Sequence, residues 1–285
     1  MGKCSLTAAI PVISVMGVQA CPLPTAILSA QTGFPSYYCD DYTNHMDEIM
    51  LEWKKMNFEP DGIYTGFLAD ALQVDKAEEF IDLFCGRETK ILVDPVMGDE
   101  GEKYPIYTKE LCTKMRSLAK KATLITPNMT EALLLLYDEN TAHNIWKDLF
   151  ALYEKNQVQE LRTAAEKIGK QLTSYFHAEA VITGIHLLSE QGTQIMGNLI
   201  CTHEKQTWVT AEKIGGSYSG TGDLFASVLS AGMVKNWPTD ISVQKAVDFL
   251  HDGIRDAVKA GTDRNEGICF EPYLYKLADA VMKER

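Results

Sequence analysis

Short apolar runs alternate with stretches of helical period along most of the chain. "DGIYTGF" (61–67), "KILVDPV" (90–96), "ATLITPN" (122–128) and "AEAVITG" (178–184) each read as a strand that ends in small or polar residues. "QACPLPTAIL" (19–28) reads as an extended strand interrupted by prolines. Helix candidates fall at 47–56, 71–85, 108–120, 128–136 and 158–173. This β-α-β-α alternation predicts an α/β fold, a mostly parallel central sheet with helices on both faces. The pattern changes in "TQIMGNLICTHEKQTWVTAEKI" (193–214), which predicts two or three strands with a polar turn near His203-Glu204-Lys205. Helices follow at about 221–234, 242–260 and 271–283. Segments 35–46 and 137–157 are the least regular and are expected as surface loops or flaps. There is no repeat, low-complexity tract or linker, so residues 1–285 read as one domain.

Open parallel sheets bind ligands at the carboxyl ends of their strands. Here those ends carry Thr65-Gly66, Asp94, Thr126-Pro127-Asn128 and Thr183-Gly184. Small and polar residues therefore recur where a pocket rim should be.

Composition narrows the partners. The 285 residues are 46% hydrophobic, enough for a large core. A net charge of −12 argues against nucleic acid or an anionic membrane as the main partner, but not against an anion held by backbone N–H groups. No apolar run is long enough to span a bilayer. The N-terminal "MGKCSLTAAIPVISVMG" is helix-patterned and runs into a strand-like stretch, which disfavours a signal peptide. The seven cysteines are scattered, without a C-x-x-C pair, which favours reduced thiols and a cytoplasmic location. The six histidines share no metal-ligand spacing, and Phe80, Phe84 and Trp146 read as packing residues.

The densest chemical signal is "GGSYSGTGDLFAS" (215–227). Leu224, Phe225, Val228, Leu229 and Met233 have the spacing of a buried helix. Glycines just ahead of it let backbone N–H groups converge at the positive end of the helix dipole, a ready anion site. Asp223, in the first turn, has two readings: a stabilising helix-start acid, or a base that takes a substrate hydroxyl proton while the N–H groups steady a transferring phosphoryl group. At the positive end of the helix its carboxylate is expected to stay ionised. The chain has neither the P-loop motif nor the protein-kinase set.

Two further stretches have paired readings. In "VDPVMGDEG" (93–101), Asp94 is either part of a strand-ending turn or a carboxylate near metal-bound phosphates. In "TPNMTEA" (126–132), Asn128 and Glu131 form a capping box, and as oxygen donors they also suit Mg²⁺ held through waters.

Together "DPVMGDEG", "TPNMTEA", "VITG", "SGTGDLFAS" and the early "GKCSLTAAIPVISVMGVQACPLPTAILSAQTG" resemble the pyridoxal kinases of the ribokinase-like superfamily. The resemblance runs through nearly the whole chain in the same order. It implies a ribokinase-like three-layer sandwich and ATP-dependent phosphorylation of pyridoxal, pyridoxine or pyridoxamine at the 5′-hydroxymethyl group. It assigns the general base to Asp223 and the anion hole to the backbone of Gly220, Thr221 and Gly222. It places Asp94 near the ATP phosphates and a monovalent cation (K⁺ as candidate), with Asp94 and Glu131 as the metal-side carboxylates. Thr126, Asn128 and Glu131 would serve ATP and Mg²⁺, and Thr183 and Gly184 would line the nucleotide site. Thr32, with Leu28 near it, would face the pyridoxal ring, and 35–46 would form a flap. The family also implies a homodimer.

Members of the family begin with a strand and a Ser-containing loop that touches the ring, ahead of the "GKCSL" helix. This sequence starts at Met1-Gly2-Lys3-Cys4-Ser5. The expectation is therefore a misassigned start or a truncated protein, with Ser5 in the first turn of the helix. Rival readings are a hydroxymethylpyrimidine kinase, whose branch tends to carry cysteine in place of Asp223, a sugar or nucleoside kinase, and a non-catalytic binding protein that keeps the ATP site.

Overall fold

In the computed structural model, residues 1–282 are described. They fall into two compact units. One comprises residues 1–63, 79–89 and the described chain from 214 onward; the other comprises 64–78 and 90–213.

The second unit carries most of the sheet. Its strand order is β10-β9-β8-β7-β4-β3, where β3 is Gly62–Thr65, β4 Lys90–Val93, β7 Leu124–Ile125, β8 Glu179–Leu188, β9 Gln194–Cys201 and β10 Gln206–Glu212. Strand β3 enters this unit at Tyr64. Strand β7 pairs parallel with β4 (Leu92↔Leu124) and with β8 (Ile125↔Ala180), while β9 runs antiparallel to both β8 and β10. The 193–214 stretch is thus a two-stranded hairpin. Leu92, Val93, Ile125, Ala180, Val181 and Ile182 are fully buried. That is why these strands read as unbroken apolar runs rather than as an alternation. A small hairpin, β5 (Gly98–Asp99) with β6 (Glu102–Lys103), follows β4.

The helices of this unit are α4 (Lys109–Ala119), α5 (Met129–Leu136), α6 (Glu139–Glu154) and α7 (Val158–Phe176), with the start of α3 (Ala71–Phe84). Helix α6 corrects the expected loop at 137–157. Asp138 caps it through the Thr141 N–H, and Ala142 and Leu149 are buried one above the other. Long α6 also carries Trp146, stacked on Phe150 with ring centroids 5.1 Å apart.

In the first unit α1 (Leu6–Val15), α8 (Thr221–Val234) and α9 (Thr239–Ala260) form a helical core. Every residue of α8 from Leu224 to Gly232 is buried. It packs on α1, whose Ala8, Ala9 and Val12 are buried, and approaches α9 closely: a Cβ on Gly232 would lie 2.3 Å from the Ser242 Oγ. A two-stranded ladder joins β1 (Ala26–Leu28) to β2 (Cys39–Asp41). The expected strand at 19–28 is therefore only its last three residues, because Pro22 and Pro24 cannot donate to a ladder. Helix α2 (Thr43–Lys55) begins earlier than expected, inside segment 35–46. The final helix, α10, spans Leu274–Met282, and residue 283 of the expected helix lies outside the described residues. Among the described residues no helix is long and apolar enough to cross a membrane, and all seven cysteines are free.

Candidate active site

In the second unit the predicted rim residues gather at the carboxyl ends of β4, β7 and β8. The Asp94 N–H donates to the Thr65 carbonyl (2.9 Å), the Thr126 N–H to the Val93 carbonyl (3.1 Å) and the Thr183 N–H to the Pro127 carbonyl (2.9 Å). Asn128 and Thr183 form an isolated parallel bridge, beyond which β8 carries an irregularity between Ile182 and Ile185. Gly184 sits in that irregularity at φ 67° with its face open. Asp94, Thr126 and Glu131 are all buried.

The capping box on α5 is present in full. The Asn128 side chain accepts from the Glu131 N–H (2.9 Å), and Glu131 Oε2 accepts from the Asn128 N–H (2.8 Å). The same residues hold the 94–103 loop. Glu131 Oε1 accepts from the Met97 N–H (2.9 Å), Asn128 Nδ2 donates to the Gly98 carbonyl (2.8 Å), and Thr130 Oγ1 accepts from the Gly101 N–H (2.8 Å). That loop needs such ties, since Val96, Glu100 and Gly101 all have positive φ. Burial pushes the Glu131 carboxyl up to about 7, against the pull of the N–H groups of Asn128, Met97 and Gly98. Asn128→Ala is expected to destabilise the protein by about 2 kcal/mol in a urea titration, since it removes the cap and the bond to Gly98.

Thr126 supplies the observation that points to a ligand here. Its Oγ1 is buried and has no hydrogen-bond partner among the described residues. A buried hydroxyl in that state costs about 1–3 kcal/mol until something polar meets it. No group of three or more His, Cys, Asp or Glu among the described residues could hold a metal alone. The donors present are oxygens, which suit a hard cation completed by phosphates and water.

In the first unit Gly220 is the N-cap of α8, in the left-handed region at φ 83°. A glycine cap has no side chain to occupy the first N–H groups of the helix, which have no acceptor inside it. The contrast with Asn128 on α5 is direct: one helix start is closed by its own side chains, the other has no side-chain cap. Asp223, three residues after the cap, does not fold back as an N-terminal cap. Its Oδ2 accepts from the backbone N–H of Ser5 at 2.9 Å. Burial raises its pKa above the ordinary aspartate range, and the Ser5 N–H pulls the other way. Desolvation thus opposes the ionised form that the helix dipole favours. The neighbouring Cys4 thiol is pushed up to about 11 by its own burial and by the Asp223 charge.

The loop holding Thr32 and the segment leading into α8 are tied to the same turn. Gln31 Nε2 donates to Asn265 Oδ1 (2.9 Å), and Asn265 Nδ2 donates to the Gly33 carbonyl (3.1 Å). The flanking carbonyls of Arg264 and Glu266 accept from the N–H groups of Ser219 and Lys3. Thr32 is exposed, and Leu28 lies in β1 opposite Cys39.

The sequence profile of the phosphomethylpyrimidine kinase family matches residues 4–267. The chain belongs to this family. A pyridoxal kinase of Arabidopsis thaliana is 24% identical over 273 residues, which is 88% of this chain and 78% of that protein. A Bacteroides thetaiotaomicron protein assigned as a phosphomethylpyrimidine kinase, solved with pyridoxal, is 31% identical with a TM-score of 0.80, covering 97% of this chain and 91% of that one. The pyridoxal kinase of Lactobacillus plantarum has the same fold at 21% identity and a TM-score of 0.80, covering 100% of this chain and 95% of that one. The chain is accordingly a kinase with the ribokinase-like α/β fold.

Three parts of this kinase's site escaped the sequence reading. Ser5 is the N-cap of α1, not a first-turn residue, and its backbone N–H binds Asp223. The carbonyl of Lys3 packs where any side chain on Gly220 would go. Asn265 binds the Thr32 loop from a 3₁₀ turn more than two hundred residues downstream, and no local pattern announces that contact.

Proposed function

We propose that this kinase transfers the γ-phosphoryl group of ATP to the 5′-hydroxymethyl group of pyridoxal and related B6 vitamers. The observation that carries the reading is Asp223: a carboxylate with a pKa raised by burial, beside a glycine-capped helix start, held through one oxygen by Ser5. A base of that kind accepts the hydroxyl proton better than an ordinary aspartate does. The N–H groups of Thr221 and Gly222, with the left-handed Gly220 ahead of them, receive the charge on the phosphoryl oxygens. The substrate class comes from the relatives, a pyridoxal kinase and a homologue solved with pyridoxal.

Asp94, Thr126, Asn128, Glu131, Thr183 and Gly184 serve the nucleotide. A bound nucleotide or its ion gives the Thr126 hydroxyl the partner it lacks. Asp94 and Glu131 would hold Mg²⁺ through water, and Asp94 would also hold K⁺; the cations neutralise phosphate charge when bound. Thr32 and Leu28 would face the pyridine ring.

A second reading has its own support, since the matching family is named for phosphomethylpyrimidine. Hydroxymethylpyrimidine presents a hydroxymethyl group on a similar ring. Product formation from equal concentrations of the two, followed by chromatography with ATP in excess, separates the readings. Pyridoxal is expected to give the higher kcat/KM. A preference for hydroxymethylpyrimidine overturns the B6 assignment, and no transfer to either favours a binding protein.

A further inference from the structure

We propose that Ser5 is a positioning residue for the base, its backbone N–H fixing which oxygen of Asp223 faces the substrate. The inference rests on Asp223 being the base.

The first observation is conformational. Ser5 has φ 51° and ψ −136°, a combination that residues with a Cβ rarely adopt. As the N-cap of α1 it also leaves its own side chain unused for capping. A serine N-cap usually sits in the extended region and closes its helix through the hydroxyl. Here the backbone is turned over, and the outcome of that turn is an N–H aimed at Asp223 Oδ2, 2.9 Å away. Backbone strain held by its surroundings is common at functional sites.

The second observation is what holds the turn in place. The Lys3 N–H donates to the Glu266 carbonyl at 3.2 Å, and the Lys3 ammonium pairs with Glu271 at 2.8 Å. After Ser5, the N–H groups of Ala8 and Ala9 bind its carbonyl. The chain on both sides of Ser5 is thus anchored, so its N–H cannot swing away without breaking those bonds. With Oδ2 engaged, Oδ1 is left as the oxygen for the hydroxyl proton. The same bond favours the ionised carboxylate, opposing the effect of burial.

The test compares pH profiles of kcat/KM for pyridoxal with saturating ATP. Ser5→Gly keeps the N–H and suits the positive φ, so its acid limb should stay at the wild-type position. Ser5→Pro removes the N–H and, with φ fixed at about −65°, also turns back the segment that Ser5 holds at φ 51°. It should lose about tenfold or more in kcat, with KM for pyridoxal little changed, and its acid limb should move up by about one pH unit. Should Ser5→Pro misfold, an ester in place of the Cys4–Ser5 peptide bond replaces the N–H with an oxygen while keeping every side chain, and Thr7→Val controls for the weakened Cys4 carbonyl acceptor. That full chain is accessible by ligating a synthetic 1–20 segment to the remainder at Cys21. An ester variant whose acid limb stays at the wild-type position, while Asp223→Asn is inactive, overturns the positioning role. A fully active Asp223→Asn overturns the base assignment itself. A Ser5→Gly variant that behaves like Ser5→Pro also overturns the proposal, because it retains the N–H.

Discussion

Asp223→Asn is expected to cut kcat for pyridoxal phosphorylation by about 10²–10⁴-fold, the usual contribution of a positioned general base. The melting temperature should stay level or rise. Asparagine has the same shape, and its side-chain oxygen can still accept from the Ser5 N–H that now binds Oδ2. The direction of the stability change follows from the raised pKa of the folded state. A carboxyl with a folded pKa above its unfolded value of about 3.9 favours folding only while protonated; that contribution is lost as pH rises through the folded value. At pH 8, above the unfolded pKa, the desolvated Asp223 carboxyl is therefore a cost to the fold, and asparagine removes it. Melting curves at pH 8 should show the variant gaining relative to wild type, with the gain shrinking toward pH 4. Turnover near the wild-type rate sinks the assignment of the base. A large loss of melting temperature at pH 8 sinks the account of its environment.

The parts of this site that the sequence disclosed are those whose chemistry is local. "SGTGD" places an open helix start and a carboxylate within five residues, and α8 occupies 221–234, the range its apolar spacing predicts. Asn128 and Glu131 form their capping box as the three-residue spacing requires. Helix α6 was missed: Ala142, Trp146 and Leu149 share one face and Asp138 is a competent cap, but the charged and amide residues among them obscured the period. The contacts of Ser5, Lys3 and Asn265 were not legible. Each depends on a backbone group or an amide meeting a partner more than two hundred positions away. Neither a backbone N–H nor a carbonyl leaves a mark in the residue type that carries it. The positive φ of Ser5 was hidden for the same reason, since serine at a helix start is ordinary and its usual conformation is extended. The raised pKa of Asp223 was hidden in a different way: the helix dipole can be read from a sequence, whereas the depth at which a first-turn residue is desolvated cannot.

Gly220→Ala should be the more damaging of the single-methyl changes at the site. A Cβ at position 220 would stand 1.9 Å from the Lys3 carbonyl oxygen, 2.9 Å from its carbon and 3.1 Å from the Cys4 Cα. All three are backbone atoms, so no side-chain rotation relieves the contact. The residue also sits at φ 83°, where a Cβ costs about 1–2 kcal/mol by itself. Relief requires the Lys3–Ser5 segment to move away from the start of α8, and that segment carries the N–H that binds Asp223. The proposed anion hole and base are thus displaced by one change. The expected result is a loss of about 3 kcal/mol or more in denaturant unfolding, combining this backbone cost with the steric one, and a fall in kcat of at least about 100-fold. Gly261→Ala is the matching control. It lies at φ 65° at the end of α9, with nothing within 4 Å of the added carbon. It should cost only about 1 kcal/mol, the left-handed penalty alone, and leave kcat intact. Equal losses of activity in the two variants would mean that general destabilisation, rather than displacement of the base, explains the effect at Gly220.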